Sequence, residues 1–213
     1  KMPMCDLPFP AEDVISGVNA YLLTHLYPDH FDMDPVTMTG GHSLDKNIPI
    51  WVQNDTEVNF MEHSGFKHIG IFSETGTHVD DITIIKVPAI HGTEKPCGPA
   101  CGLILKHPSE KTLYLAGDTI WCEDVRNTLE QYKPDVIVAN ACAASLLDFG
   151  RLIMDDHDLV SLHDACPTAA LIASHMDTVA HAALTRRTLR EKLARKGILE
   201  DFLIPEDGES LHF

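Results

Sequence analysis

Between residues 24 and 32 the chain reads Thr24-His25-Leu26-Tyr27-Pro28-Asp29-His30-Phe31-Asp32, crowding imidazoles, carboxylates and a phenol into one short segment. In an extended stretch side chains repeat every two residues, so His25 and Tyr27 project to the same side. A turn at Pro28 can then bring Asp29 and His30 back toward the same space. Imidazole nitrogen together with carboxylate oxygen suits zinc, or a somewhat harder ion such as manganese. Three later segments carry the same chemistry: Val87-Pro88-Ala89-Ile90-His91-Gly92, Leu115-Ala116-Gly117-Asp118-Thr119 and Ile172-Ala173-Ser174-His175-Met176-Asp177. Gly117 allows tight backbone approach, and an anionic Asp118 could bridge two cations with its two oxygens. Taken singly, each segment also reads as a polar loop, a capping histidine or an ordinary turn.

The elements that must position these residues follow from the apolar pattern. Short apolar runs alternate with amphipathic stretches, which points to α/β layering. Strands are predicted at Val18–Thr24, Ile48–Val52, His68–Phe72, Ile82–Val87, Gly102–Lys106, Thr112–Ala116, Val136–Ala139, Ala170–Ser174 and Phe202–Ile204. Helices are predicted at Thr56–Ser64, Glu123–Tyr132, Asp158–Ala165 and Thr185–Lys196; the last places Leu189 and Leu193 on one face and stops at Gly197. Four strands run into a residue able to bind metal: Thr24 into His25, Val87 toward His91, Ala116 toward Asp118 and Ser174 into His175. Strand ends are where an α/β scaffold places its chemistry, because the sheet fixes the roots of otherwise free loops.

The order T-H-x-x-x-D-H, then H-G after a strand, then G-D-T, then S-H-M-D after a strand resembles the metallo-β-lactamase superfamily. More closely, the chain is similar to the L-ascorbate-6-phosphate lactonase-like branch, with Leu113–Trp121, Pro134–Asn140 and Pro205–Glu209 as supporting stretches. The resemblance implies an αββα sandwich with the metal site at one edge of two sheets. It implies one metal held by His25, His91, Asp118 and the residue at position 27. A second would be held by Asp29, His30, Asp118 and His175, with Asp118 shared. It further implies metal-activated water as the nucleophile, with Asp29 orienting that water or shuttling its proton. The family's first motif has histidine where this chain has Tyr27, and a neutral phenol, with an ordinary pKa of about 10, is a poor ligand.

The predicted activity is hydrolysis of an ester, lactone or phosphoester of a small metabolite, with one or two Zn2+ or Mn2+ ions per chain. The rival reading is a non-catalytic binding protein that keeps the fold and one structural metal. His181, six residues after His175, is a candidate to stand behind the ligands or to face substrate. The remaining histidines, from His42 to His212, read as surface or structural residues. Ser43 and Ser174 have no matched base, which leaves a serine-nucleophile reading weak. No glycine-rich phosphate loop is present.

The whole chain bounds these readings. Its 213 residues favour one domain, 1–213. A formal charge of −16 argues against a nucleic-acid backbone as partner, which needs a basic surface. No apolar run is long enough to span a membrane, and the opening KMPMCDLPFP lacks the apolar stretch of a signal peptide. The six cysteines are too scattered for a disulfide scaffold, with Cys97 and Cys101 only a weak C-x3-C zinc signal. Reduced thiols and a cytoplasmic setting are expected. The family's outer N-terminal strands have little room before residue 24, so the domain is expected to be N-terminally incomplete. Sheet edges left bare by that loss favour association, and a homo-oligomer is expected. Light scattering checks this: a mass above one chain is the expected result, and a stable monomer would count against it.

Overall fold

In the computed structural model, which describes residues 3–213, the side chains alternate across two sheets and so define the layers. Lys1 and Met2, the start of the stretch read for a leader, lie outside the described residues. The first half contains α1 (Ala11–Val14), β1 (Tyr21–Leu22), β2 (Met33–Asp34), β3 (Thr39–Gly40), β4 (Ile50–Val52), α2 (Asp55–His63), β5 (Ile69–Ile71), β6 (Thr77–Val79) and β7 (Ile82–Pro88). The second contains β8 (Cys101–Lys106), β9 (Leu113–Leu115), α3 (Glu123–Tyr132), β10 (Val136–Asn140), β11 (Ser145–Leu146), β12 (Gly150–Arg151), α4 (Asp156–Ala165), β13 (Ala170–Ser174), α5 (Arg186–Lys196) and β14 (Phe202–Leu203).

A small parallel sheet has the order β1-β4-β5, and a larger mixed sheet runs β14-β13-β10-β9-β8-β7-β6. On β7 and β8, Ile84 and Leu103 point one way, where Leu22 and Trp51 of the small sheet meet them. Their neighbours Ile85 and Ile104 point the other way, into a core shared with Leu129 of α3, Leu159 of α4 and Leu189 of α5. Across the small sheet, Ile50 and Val52 pack on Met61 of α2. The order of layers is therefore helix, sheet, sheet, helices, the αββα sandwich that the resemblance implies. Among the described residues no helix is long and apolar enough to cross a membrane.

The strand directions decide where the chemistry falls. β9, β10, β13 and β14 are mutually parallel. β7 is antiparallel to β8, and β8 to β9, so β7 runs the same way as β9. The carboxyl ends of β7, β9, β10 and β13 therefore share one edge. β1 joins them there, because the Cys101 amide at the start of β8 donates to the Thr24 carbonyl at 3.2 Å.

Some expected boundaries are corrected. The strand expected over Val18–Thr24 pairs only at Tyr21–Leu22, because among the described residues its ladder partner is the three-residue β4 alone. The helix expected from Asp158 starts at Asp156, since the Asp155 side chain accepts from the His157 and Asp158 amides and caps it. Thr185 is likewise the cap of α5 rather than its first residue, in a reciprocal arrangement with Thr188. α1, the β2–β3 and β11–β12 hairpins and β6 are additional elements, each too short to show a period in sequence.

Leu103 is fully buried where the two sheets meet. Leu103→Ala is expected to lower stability by about 2–5 kcal/mol in urea denaturation. An unchanged midpoint would show that the sheets do not depend on this contact.

Candidate metal centre

Asp118 is the hub of the shared edge. It follows Gly117, whose φ of +67° and whose position 2.7 Å from the Cys101 carbonyl, measured from an ideal Cβ, leave no room for a side chain. Its Oδ2 lies 3.5 Å from His25 Nε2, 3.3 Å from His30 Nε2 and 3.9 Å from His91 Nε2. Its Oδ1 lies 3.9 Å from His175 Nε2 and accepts from the Asn140 amide nitrogen at 2.6 Å. Burial pushes the Asp118 carboxyl up, but the adjoining His25, His30 and His175 rings outweigh it and hold the group well below the usual carboxylate range.

Two donor groups meet at this carboxylate. One is Asp29, His30, Asp118 and His175; the other is His25, His91 and Asp118. Within each, the ligand atoms lie within 4.8 Å of one another. The turn at Pro28 forms as expected, with the His30 and Phe31 amides both donating to the Tyr27 carbonyl. It brings Asp29 Oδ2 to 3.7 Å from His175 Nε2 and 3.9 Å from His30 Nε2. His30 and His175 face each other, Nε2 to Nε2, at 2.9 Å. His175 takes a left-handed backbone conformation, φ +67°, immediately after β13. Such a conformation costs an L-residue about 1–2 kcal/mol. Burial lowers the pKa of His91 and of His175; for His30 burial opposes, and the Asp118 hydrogen bond and charge raise it.

The residues present fit a metal. His25 is fully buried, and among the described residues its Nε2 has no hydrogen-bond partner, a costly state for a polar atom unless something else is bound there. His91 is held by its other nitrogen: Nδ1 donates to the Leu152 carbonyl at 3.1 Å, which leaves the Nε2 lone pair for the centre. The Thr24 hydroxyl lies 3.1 Å from His25 Nδ1 and holds that ring from its other side.

All six residues expected as ligands thus come together, and the two uncertain ones separate. Tyr27 lies against the His25 and His91 rings, at centroid distances of 5.2 and 5.5 Å, but its hydroxyl is turned to Cys97 Sγ at 3.4 Å. Burial first, and then the Cys97 contact, push the phenol's pKa further up, which keeps it a neutral group. His181 stands in the wall of a cavity of about 250 Å³ that also exposes Asp29, His91 and Asp118. Among the described residues neither Cys97 nor Cys101 joins a cluster able to hold a metal, which removes the C-x3-C reading. Sequence reasoning missed Asn140, Thr24 and the Leu152 carbonyl. Asn140 ends β10 at the same edge as the ligands, so its position was a usable signal, but an amide is not on the list of good metal donors.

Residues 1–176 match the family model described as the beta-lactamase superfamily domain. The chain belongs to that superfamily. Within it lie the UPF0173 proteins, of which YddR from Bacillus subtilis is 37% identical over 99% of this chain and 82% of its own length. The UPF0173 metal-dependent hydrolase Acid345_3437 from Koribacter versatilis is 30% identical over 78% of this chain and 70% of its own. Among solved structures, an isothiocyanate hydrolase from Delia radicum gut bacteria superposes with a TM-score of 0.89 at 35% identity, over 100% of this chain and 83% of its own. The chain is a metal-dependent hydrolase of the UPF0173 family, which displaces the rival reading of a binding protein. The finer expectation of a lactonase-like branch has no such support.

With its phenol turned aside, the first donor group keeps three ligands and the second keeps four. Wild-type protein is expected to hold metal tightly at the second group and below one equivalent at the first. Tyr27→His should raise metal content toward two per chain by elemental analysis. Two tightly held ions in the wild type, unchanged by the substitution, would show the tyrosine to be an adequate neighbour for a metal.

Proposed function

We propose that this chain hydrolyses a small, uncharged electrophile at the His/Asp centre, with an isothiocyanate as the favoured substrate class. The observation that carries this reading is the cavity. It opens directly onto Asp29, His91 and Asp118, and among the described residues no lysine or arginine lines it. A phosphoester brings negative charge that such enzymes ordinarily meet with cationic side chains. A neutral substrate needs none. The resemblance to an isothiocyanate hydrolase over the full length of this chain supports the choice. Small esters and lactones, also neutral with an electrophilic carbon, are the second reading on the same observation.

Zinc or manganese fits the nitrogen and carboxylate donors, and when bound supplies Lewis acidity and a water more acidic than bulk. The chain's own part is positional. Asn140 and the histidine rings fix Asp118, and Leu152 fixes the tautomer of His91. Asp29 is half-buried at the cavity floor, placed to take the proton that water loses as its oxygen adds to the substrate carbon. For an isothiocyanate, addition of one water gives a thiocarbamic acid, which breaks down to an amine and carbonyl sulfide.

The test is turnover by the full chain loaded with zinc or manganese on an alkyl isothiocyanate, a small lactone and a phosphodiester. The isothiocyanate is expected to react fastest, and Asp29→Asn to lower kcat by about 10²–10⁴-fold. Faster turnover of the phosphodiester than of either neutral compound would overturn the reading.

A further inference from the structure

The hairpin formed by β11 and β12 stands at the mouth of the cavity and serves none of the roles described so far. Leu146 lines the cavity yet is 42% exposed, and Leu147, the next residue, is entirely exposed. The turn itself has its ordinary chemistry in Asp148 and Gly150, so it does not call for the two leucines that stand side by side before it in solvent. Ala144 and Leu152, at the base of the hairpin, and the Tyr27 ring continue the same lining. The cavity thus has a polar floor of ligands and an apolar side wall.

The wall is fixed rather than loose. Phe149 packs against the main core beneath Lys95, whose Nζ lies 4.8 Å from its ring centroid. The Glu94 amide donates to the Phe149 carbonyl at 3.1 Å, and the Thr93 amide to the Arg151 carbonyl at 2.9 Å. The Arg151 amide returns a bond to the Thr93 hydroxyl at 2.9 Å. Gly150, at φ +71°, lets the strand approach so closely that a Cβ there would collide with Thr93.

We propose that Leu146 determines substrate specificity by accepting an apolar substituent of the substrate, while the ligand-lined floor receives the reactive group. This rests on the hydrolase reading above for the identity of the reactive group alone. A leucine side chain left half in water gains on the order of tenfold in affinity when an apolar partner covers it. The substrate class is therefore an electrophile carrying an aryl or extended alkyl group, rather than a one-carbon or polar compound.

The test uses binding instead of turnover. Acetate and 4-phenylbutyrate share a carboxylate and differ in their apolar tail, and both are titrated calorimetrically into the zinc-loaded full chain. The wild type is expected to bind 4-phenylbutyrate at least about tenfold more tightly than acetate. Leu146→Ser should remove most of that preference, with metal content retained and acetate affinity within about twofold, while Leu146→Met should restore it. Leu203→Ser, at an exposed leucine on β14 outside the cavity, should change neither affinity. Equal affinity for the two acids in the wild type, no binding of 4-phenylbutyrate, or an equal loss in Leu203→Ser would each overturn the proposal. A surviving preference in a protein that turns over no isothiocyanate would overturn the functional reading and leave this one standing.

Discussion

Asp118 places a carboxylate in an almost fully enclosed position, and a charge held there without compensation carries a cost of several kcal/mol. Much of the surrounding structure answers that cost. Four imidazole rings from three separate segments and the Asn140 amide converge on its two oxygens. Those segments come from both sheets, so the charge is satisfied only when the sandwich is closed. The bond from the Cys101 amide to the Thr24 carbonyl and the side-chain-free approach of Gly117 to Cys101 are the local contacts that close it at this edge. Folding and site assembly are one event here, since neither sheet alone can neutralise Asp118.

The same edge also stores strain. The left-handed backbone at His175 is unfavourable in itself, and the nearby Asp177 shares it. Strain of this kind persists where the surrounding structure over-determines it, and sites of function are where it collects. Here β13 fixes the residue before, through its pairing with β10, and the Arg186 guanidinium holds the Asp177 carboxylate after it. The turn between them therefore has little freedom to relax and carry the His175 ring away from His30.

Much of this was legible in the residues themselves. The six candidate ligands could be named because each is a strong donor at the end of an apolar run or in the turn just after one, and strand ends at one edge must converge once their directions agree. The layer order was legible through the resemblance, and the alternation of Ile84 with Ile85 and of Leu103 with Ile104 bears it out. What stayed hidden was of two kinds. Two- and four-residue elements such as α1 and β11 carry no periodicity, so only tertiary pairing reveals them. The supports of the ligands were hidden too, because the Leu152 carbonyl is a backbone atom that every residue possesses, and nothing in its side chain marks it. The orientation of Tyr27 depended on Cys97, some seventy positions away, a pairing that no local pattern encodes.

The Leu152 carbonyl has a further consequence, which concerns how such a protein can change over time. The hairpin's base and its tip stand in different relations to the centre. At the base, the main chain around Leu152 grips His91, and a shift there is transmitted to a ligand. At the tip, Leu147 and Asp148 face solvent. Mutational drift at the tip is thus insulated from the reactive apparatus. A lineage could alter the rim of the cavity at Leu146 and the tip beside it, and explore new chemicals in its surroundings while the means of attacking them stayed intact.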